Sequence, residues 1–330
     1  MFSMTVIMLV IILALLFDYI NGFHDTANAI ASAVATKALP PGVAIVMAAN
    51  LNFLGAITGT AVAATIGQSI VNPRLIDPPV IIAALSGAII WNIFTWYYGL
   101  PSSSSHALIG GLAGGVLISM GPDIINWTGF GNIFAVLTFT PIVALFAGGL
   151  MMRLLLILFS NALPVRTNNH FRKLQIVSAA MASFAHGSND AQKSMGIITM
   201  VLIGSGLLND FIVPLWVKIA CASAMAFGTA VGGWKIIRTL GRRIFRIKPA
   251  NGFAADLTAS IIIYSASLIG FPVSTTHVIS SAIIGVGAAQ RMRGVRWNVA
   301  IKIAVAWFIT IPAAAIAAIL IYLVISVTLL

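Results

Sequence analysis

The chain has 330 residues, of which 60% are apolar and only 8% are charged. Soluble globular domains have about a quarter of their residues charged, so this composition excludes that class and predicts a multi-spanning membrane protein. The seven acidic residues are all aspartate, against 18 lysines and arginines, which gives a net charge of +11. Because a charge in hydrocarbon costs about 3 kcal/mol, the aspartates within apolar sequence are the first candidates for function.

Apolar runs of helical length follow one another along the whole chain. A helix needs roughly 20 residues to cross a bilayer. The runs lie at 1–38, 42–67, 79–99, 130–160, 174–208, 212–237, 254–270 and 298–328. Two shorter runs, 100–119 and 271–289, contain a proline near their start and are predicted to be the return arms of helical hairpins of the re-entrant type. We therefore expect an all-α polytopic membrane protein.

The two halves of the sequence resemble each other. The segment NGFHDTAN at 21–28 corresponds to HGSNDAQK at 186–193, which places Gly22 over Gly187, and GLPSSSSH at 99–106 corresponds to GFPVSTTH at 270–277. Gly55 and Gly228 correspond in the same way. Three matches in the same order at nearly one offset indicate an internal duplication. We expect a first membrane repeat at 1–160, a short basic linker at 161–173 and a second membrane repeat at 174–330.

Loop charges predict that the repeats are inverted. The loop after the second long span of the second half contains five basic residues at 238–248, whereas its counterpart at 67–78 has one. The loop at 290–297 contains three arginines, whereas its counterpart at 119–129 has none and contains Asp123. Since positive loops face the cytoplasm, equivalent loops would face opposite sides, with broken helices in each repeat. Counting the membrane crossings with the basic loops inside puts both termini outside and the linker inside. Membrane topology therefore explains the positive net charge, and nucleic-acid binding is not needed to account for it.

The two Gly-x-Pro hairpin tips are predicted to form an anion site. Each is followed by consecutive hydroxyl residues at the expected start of a helix, where free backbone N–H groups and the helix dipole attract negative charge. Inverted repeats would bring both tips to the bilayer midplane. The alternative is that the hydroxyls only cap buried turns or pack helices. The candidates are Ser103, Ser104, Ser105, Ser274, Thr275 and Thr276.

The aspartate motifs are predicted to form a cation site at a break in each helix. Asp25 and Asn28 are three residues apart, so they share one helix face, and the second half offers Asn189 and Asp190. Carboxylate and amide oxygens suit hard cations or protons. The alternative is a pair of buried aspartates that are neutralised by protonation or by capping nearby backbone.

Four further residues in these motifs are possible accessories: His24, His186, Gln192 and Lys193. Histidine can relay protons near neutral pH, or it can remain a neutral ring bonded to a carbonyl. Lys193 takes the place that Asn28 has in the first half. An ammonium does not ligate sodium, so this difference favours a proton as the coupling ion.

The segments GFHDTANAIA, SSSSHALIGG, FAHGSNDAQKSMG and PVSTTHVISSAIIG together resemble the inorganic phosphate transporter (PiT) family, in particular its bacterial branch. The resemblance extends over residues 1–330. It implies secondary transport of inorganic phosphate with a coupling cation, with phosphate at the hairpin hydroxyls and the cation at the aspartate and asparagine positions. Sodium-coupled members read GANDVANA in the first motif, whereas this chain has His24 there and Gln192 and Lys193 in the second motif. Those features are closer to bacterial members that use protons and accept metal–phosphate complexes.

The sequence therefore predicts a plasma-membrane symporter that imports phosphate, free or complexed with a metal, by alternating access. The coupling ion would be H⁺ in preference to Na⁺, no cofactor is expected, and a homo-oligomer is allowed. Transport of sulfate or another tetrahedral oxyanion is the first alternative. An intramembrane hydrolase that uses Ser105 with His106, or Thr276 with His277, is a remote one, because adjacent helical residues point about 100° apart. We expect no enzyme activity.

Overall fold

The computed structural model describes residues 3–161 and 164–329, and these residues form helices and connecting turns without a β-strand. The helices are α1 (Met4–Ala35), α2 (Pro41–Ile57), α3 (Ala61–Ser69), α4 (Pro78–Tyr98), α5 (Ser104–Met120), α6 (Trp127–Leu158), α7 (Pro164–Gly204), α8 (Leu215–Val231), α9 (Trp234–Arg238), α10 (Pro249–Leu268), α11 (Thr275–Arg291) and α12 (Trp297–Leu329). The prediction of an all-α protein is confirmed.

Among the described residues, four helices are long and apolar enough to cross a membrane, namely α1, α4, α6 and α12. Two bent pairs raise the number to six. α2 and α3 meet at 67°, and α8 meets the helical segment Lys235–Gly241 at 63°. The other two predicted spans, 174–208 and 254–270, are helical as α7 and α10 but are less apolar, because both contain many buried polar side chains. The chain is a multi-pass membrane protein.

Both hairpin tips reverse the chain at a glycine. Gly99, which follows α4, and Gly270, which follows α10, have φ angles of 65° and 79°, a left-handed conformation that glycine adopts without steric cost. The prolines of the two motifs lie just after these turns, and helices α5 and α11 begin only at Ser104 and Thr275. The helical starts are therefore three residues later than the prolines, because Ser103 and Ser274 are the N-cap residues.

The aspartate motifs do not lie at helix breaks, so that part of the sequence prediction is wrong. α1 continues from Met4 to Ala35 through Asp25, and α7 continues from Pro164 to Gly204 through Asp190. The glycines beside these aspartates serve helix packing. A Cβ atom at Gly22 would overlap the backbone of Met225 in α8, and one at Gly187 would overlap the backbone of Asn52 in α2.

These close crossings tie each half of the chain to the other. α1 packs against α8, and α2 packs against α7. The short helices also pack against the other half: α5 packs against α12, and α11 packs against α6. Buried apolar side chains form two clusters, one on each side of the central polar residues of α1 and α7. The central segments of α1 and α7 are thus held between elements of both halves.

The predicted linker overlaps the start of a helix. Residues 164–173 form the first turns of α7, and residues 162 and 163 lie outside the described residues. The division of the chain at 160 and 174, and the inverted orientation of the two halves, stay predictions.

Candidate functional site

The tips of the two hairpins meet in the interior of the protein. At each tip one serine of the motif caps its own helix: the Ser103 side chain accepts a hydrogen bond from the backbone N–H of His106 at 3.1 Å, and Ser274 accepts one from His277 at 3.3 Å. The Ser105 hydroxyl of the first tip donates to the carbonyl oxygen of Val273 in the second, at 3.0 Å. All these residues are buried. Two helix N-termini therefore face one enclosed polar region.

Three of the four remaining predicted hydroxyl residues bond to the two aspartates. Ser104 donates to Asp25 Oδ2 at 2.8 Å, and Thr276 donates to Asp25 Oδ1 at 3.0 Å. Thr275 donates to Asp190 Oδ2 at 3.1 Å. Both hairpins thus contribute to Asp25, which lies on α1, and the second hairpin also contacts Asp190, which lies on α7.

Asp25 and Asn28 are neighbours on one face of α1, as their spacing predicted. Asn28 Nδ2 donates to the Thr276 hydroxyl at 2.7 Å, and that hydroxyl in turn donates to Asp25. The Oδ1 atom of Asn28 is buried and has no hydrogen-bond partner among the described residues. His24 Nδ1 lies 2.7 Å from Asp25 Oδ1. This face of α1 therefore offers an amide oxygen that can accept a further ligand, beside a carboxylate with an imidazole partner.

Asp190 is paired with Lys193 one helical turn later. The distance from Lys193 Nζ to Asp190 Oδ1 is 2.5 Å, and the same ammonium donates to Ser105 Oγ at 2.5 Å and to the Val273 carbonyl at 3.2 Å. Both members of the pair are fully buried. Lys193 therefore links the aspartate of α7 to both hairpin tips.

Asp25, Asp190 and His186 form the one group of three described side chains that could hold a metal ion. Their potential ligand atoms all lie within 4.8 Å of one another. His186 Nε2 is 3.3 Å from Asp190 Oδ2, while its Nδ1 is 3.0 Å from Asn52 Oδ1. Two carboxylates and one imidazole suit a small cation or a shared proton.

Two of the predicted site residues form hydrogen bonds to groups outside the cluster of aspartates and hydroxyls. Asn189 donates to Ser267 Oγ at 3.0 Å and accepts from the Val273 N–H at 3.2 Å, so it supports the second tip from behind. Gln192 Oε1 accepts from the Val62 N–H at 2.8 Å and thereby caps the start of α3 after the bend. Both positions stabilise the surroundings of the aspartates and hydroxyls.

The two hairpin histidines pack against each other and against a tryptophan. The ring centroids of His106 and His277 are 4.4 Å apart, and His277 stacks on Trp307 at 4.0 Å. Ser105 and Thr276 bond to other groups, with no hydrogen bond to the histidines beside them among the described contacts. The proposed hydrolase pairs are therefore not formed.

Sequence reasoning did not single out Asn21 and Thr95. Asn21 Oδ1 accepts from Ser104 at 2.8 Å, and its Nδ2 lies 3.4 Å from Asp190 Oδ2, so Asn21 bridges the two halves of the site. Thr95 Oγ1 lies 3.1 Å from His24 Nε2. Asn21 is four residues before Asp25 on the same helix face, and this spacing is the signal that could have identified it.

A family model matches almost the whole chain. The model of a family described as "Phosphate transporter family" matches residues 21–166 and 160–318. The chain belongs to the phosphate transporter family. The family consists of transporters, so the chain is not an enzyme.

Named relatives of this family member come from several bacteria. A "Probable low-affinity inorganic phosphate transporter" of Bacillus subtilis (strain 168) is 52% identical over 312 residues, which cover 93% of each chain. A protein of the same name from Rhizobium meliloti (strain 1021) is 46% identical over 314 residues, which cover 94% of each. A solved structure, "The sodium-dependent phosphate transporter", has a TM-score of 0.90 at 24% identity and covers 99% of this chain and 100% of its own. At that identity the match shows a shared fold.

Proposed function

We propose that this family member imports inorganic phosphate together with a cation, a proton in preference to sodium, across the plasma membrane. The observation that supports this function best is the contact between the hairpin tips and the aspartates. Ser104 bonds to Asp25 at 2.8 Å and Thr275 bonds to Asp190 at 3.1 Å. The groups suited to an anion and the groups suited to a cation thus share one buried cluster.

Phosphate would bind between the tips of α5 and α11. The hydroxyls of Ser104, Ser105, Thr275 and Thr276 would turn from their present acceptors towards the phosphate oxygens, with the helix N-termini adding backbone N–H groups. Lys193 already reaches the first tip through Ser105 and would donate a charge-assisted hydrogen bond to the anion.

Cation binding would make phosphate binding possible. Two unit negative charges about 4 Å apart repel each other by about 4 kcal/mol at an effective dielectric of about 20. An anion beside Asp25 and Asp190 therefore binds well only when a cation or proton neutralises a carboxylate. Each ligand then raises the affinity for the other, and this reciprocity is the physical origin of coupling.

The preference for a proton rests on Lys193. Its ammonium occupies Asp190 Oδ1 at 2.5 Å, so this carboxylate already has a cation where a sodium ion would need an oxygen ligand. Asp25 has a histidine partner instead, at 2.7 Å. A proton shared by Asp25 and His24 is the simplest coupling ion for this set. The tips would be exposed to each side of the membrane in turn by movements of the two halves.

Uptake into proteoliposomes tests the proposal. Labelled phosphate would be offered with an imposed pH gradient, with a sodium gradient or with neither, each with and without magnesium. We expect uptake under the pH gradient, and excess sulfate should compete weakly. Uptake driven by sodium alone would overturn the preference for protons, and strong competition by sulfate would favour the wider oxyanion substrate class.

The residue assignments are tested by Asp25→Asn and Asp190→Asn, with Asp77→Asn as the matched control. Asp77 is exposed at the start of α4 and its side chain makes no cap hydrogen bond. We expect each site variant to reduce gradient-driven uptake by about 5- to 150-fold, the usual range of a coupling free energy, and the control to transport normally. Normal uptake by both site variants would contradict the assignment.

A further inference from the structure

A basic cavity of about 770 Å³ lies at the end of the molecule where α1 ends. Its walls include Thr36, which directly follows α1, and the next residue, Lys37. Ten or more residues separate these positions from Asp25, and at 1.5 Å per residue the cavity is about 15 Å along the helix from the candidate site. The cavity is therefore separate from the candidate site around Asp25.

Five cationic side chains converge on this cavity from separate parts of the chain. They are Lys37, Arg172, Arg246, Lys248 and Arg296. No aspartate lines it, and all three ion pairs among the described residues lie at the central site. Five like charges around one concave space repel one another, so the arrangement is more favourable with an anion inside.

A general surplus of positive charge on a cytoplasmic face does not explain this convergence. The positive-inside rule requires basic residues on one side of the membrane but no shared cavity. Arg291 and Arg293 satisfy it as well as Arg296 does, and all three are exposed, but of the three only Arg296 lines the cavity. Membrane topology alone therefore does not account for five cations around one concave space.

The walls of the cavity are held by specific hydrogen bonds. Thr36 donates to Gln175 Oε1 at 2.7 Å, which joins α1 to α7. The backbone N–H of Arg296 donates to the carbonyl of Ile244 at 2.9 Å, and Asn251 Oδ1 accepts from the Lys248 N–H at 2.9 Å. These bonds join the end of α1 to α7 and the Arg296 backbone to Ile244, and they hold the Lys248 backbone at the start of α10.

Lys37 has a backbone conformation that favours glycine. Its φ angle of 59° makes it the one described residue other than glycine with a positive φ, and this conformation costs roughly 1–2 kcal/mol for a residue with a Cβ. A glycine would end α1 at lower cost. The turn is held by the backbone N–H of Ala38, which donates to the carbonyl of Ala33 at 2.9 Å, as at other helix ends with a left-handed residue. It places Lys37 at the cavity.

We infer that this cavity binds a phosphate group, as free inorganic phosphate or as the headgroup of an anionic lipid. Three arginines line it, and the guanidinium fork matches phosphate oxygens in a bidentate arrangement. The inference is independent of the transport mechanism because it concerns binding at a second place.

The test compares two double variants of the full chain in phosphatidylcholine nanodiscs. Arg172→Gln with Arg246→Gln removes two cavity cations, and Arg291→Gln with Arg293→Gln removes two exposed arginines that do not line the cavity. Equilibrium dialysis with labelled inorganic phosphate measures binding. Native mass spectrometry with added phosphatidylglycerol measures lipid retention.

We expect the cavity variant to bind one of the two probes at least about tenfold more weakly than the control variant, because charge-assisted hydrogen bonds are lost. A loss for inorganic phosphate identifies the free ion, and a loss for phosphatidylglycerol identifies the lipid headgroup. Lys37→Gly should weaken the same binding while the melting temperature stays equal or rises, which separates binding from folding. Equal phosphate binding and equal lipid retention in the two double variants would overturn the inference, whatever the central site binds.

Discussion

At the scale of the residue, Lys193 has the most unusual environment. It is among the largest fully buried side chains, and its ammonium contacts Asp190, Ser105 and the Val273 carbonyl. A buried charge is tolerated only when it is paired and hydrogen-bonded, and each of these partners comes from a different functional motif. Loss of Lys193 is therefore expected to lower the stability of the protein and to disturb the arrangement of the site.

Lys193→Met should destabilise the protein by about 3–5 kcal/mol, because it leaves the Asp190 carboxylate buried without its cation. The double variant Lys193→Met with Asp190→Asn should recover much of that loss, since no unpaired charge remains. Thermal unfolding in detergent measures both effects. Lys173→Met, at an exposed position of α7, is the control and should leave the melting temperature unchanged. A single variant as stable as this control would show that Asp190 does not depend on Lys193.

The sequence identified the groups of the site better than their partners. Asp25 could be singled out because a carboxylate is costly in apolar sequence, and Ser104 and Thr275 could because they follow matched Gly-x-Pro tips. Their pairings could not be predicted, because residues such as Asn21 and Asp190 are 169 positions apart and meet only in the packed structure. The same limit applies to Gln192, since its role as a cap depends on the bend between α2 and α3.

At the scale of the element, glycines hold the helix crossings around the site. A Cβ atom at Gly228 would overlap the backbone of Tyr19 in α1, and one at Gly55 would overlap the backbone of Phe184 in α7. The duplication relates Gly22 to Gly187 and Gly55 to Gly228, so the two crossings correspond to each other. Small residues of this kind allow membrane helices to approach closely.

Gly187→Ala and Gly228→Ala should each lower stability by about 1–3 kcal/mol, because the added methyl group forces packed backbones apart. Gly131→Ala is the matched control, since no described atom lies within 4 Å of a Cβ built there, and alanine favours a helix interior by up to about 1 kcal/mol. The apparent melting temperature should fall for the first two variants and stay equal or rise for the third. Equal melting temperatures for all three variants would show that the helix crossings can accommodate a methyl group.

The elements themselves were largely predictable, and the main exception is the pair of expected helix breaks. Apolar runs located all the long helices, and Gly-x-Pro located both hairpin tips. The expected breaks at Asp25 and Asp190 were wrong because the polar residues of both motifs are accommodated within continuous helices. In the structure the glycines beside these aspartates permit close packing, and the hydrogen bonds of α1 and α7 continue past them.

At the scale of the whole molecule, the two halves enclose one polar centre. Each half contributes a long helix with an aspartate and a short helix that begins at a hydroxyl-rich tip. The tips meet through Ser105 and Val273, while the basic cavity lies towards one end only. The inverted arrangement predicted from loop charges would explain why corresponding loops have opposite charge character.

The orientation of the halves can be tested with cysteines in two corresponding turns. Pro122–Ile124 and Met292–Gly294 are single turns of 3-10 helix that follow α5 and α11, and Asp123 and Arg293 are exposed in them. The native Cys221 is buried, so a membrane-impermeant maleimide should leave the unmodified chain unlabelled and serve as the control. In intact cells we expect the reagent to label Asp123→Cys, and to label Arg293→Cys only after lysis, because the arginine-rich turn faces the cytoplasm. Labelling of both variants before lysis would place the two turns on one side of the membrane. The halves would then be parallel rather than inverted, and the tips of α5 and α11 would have to approach from the same side.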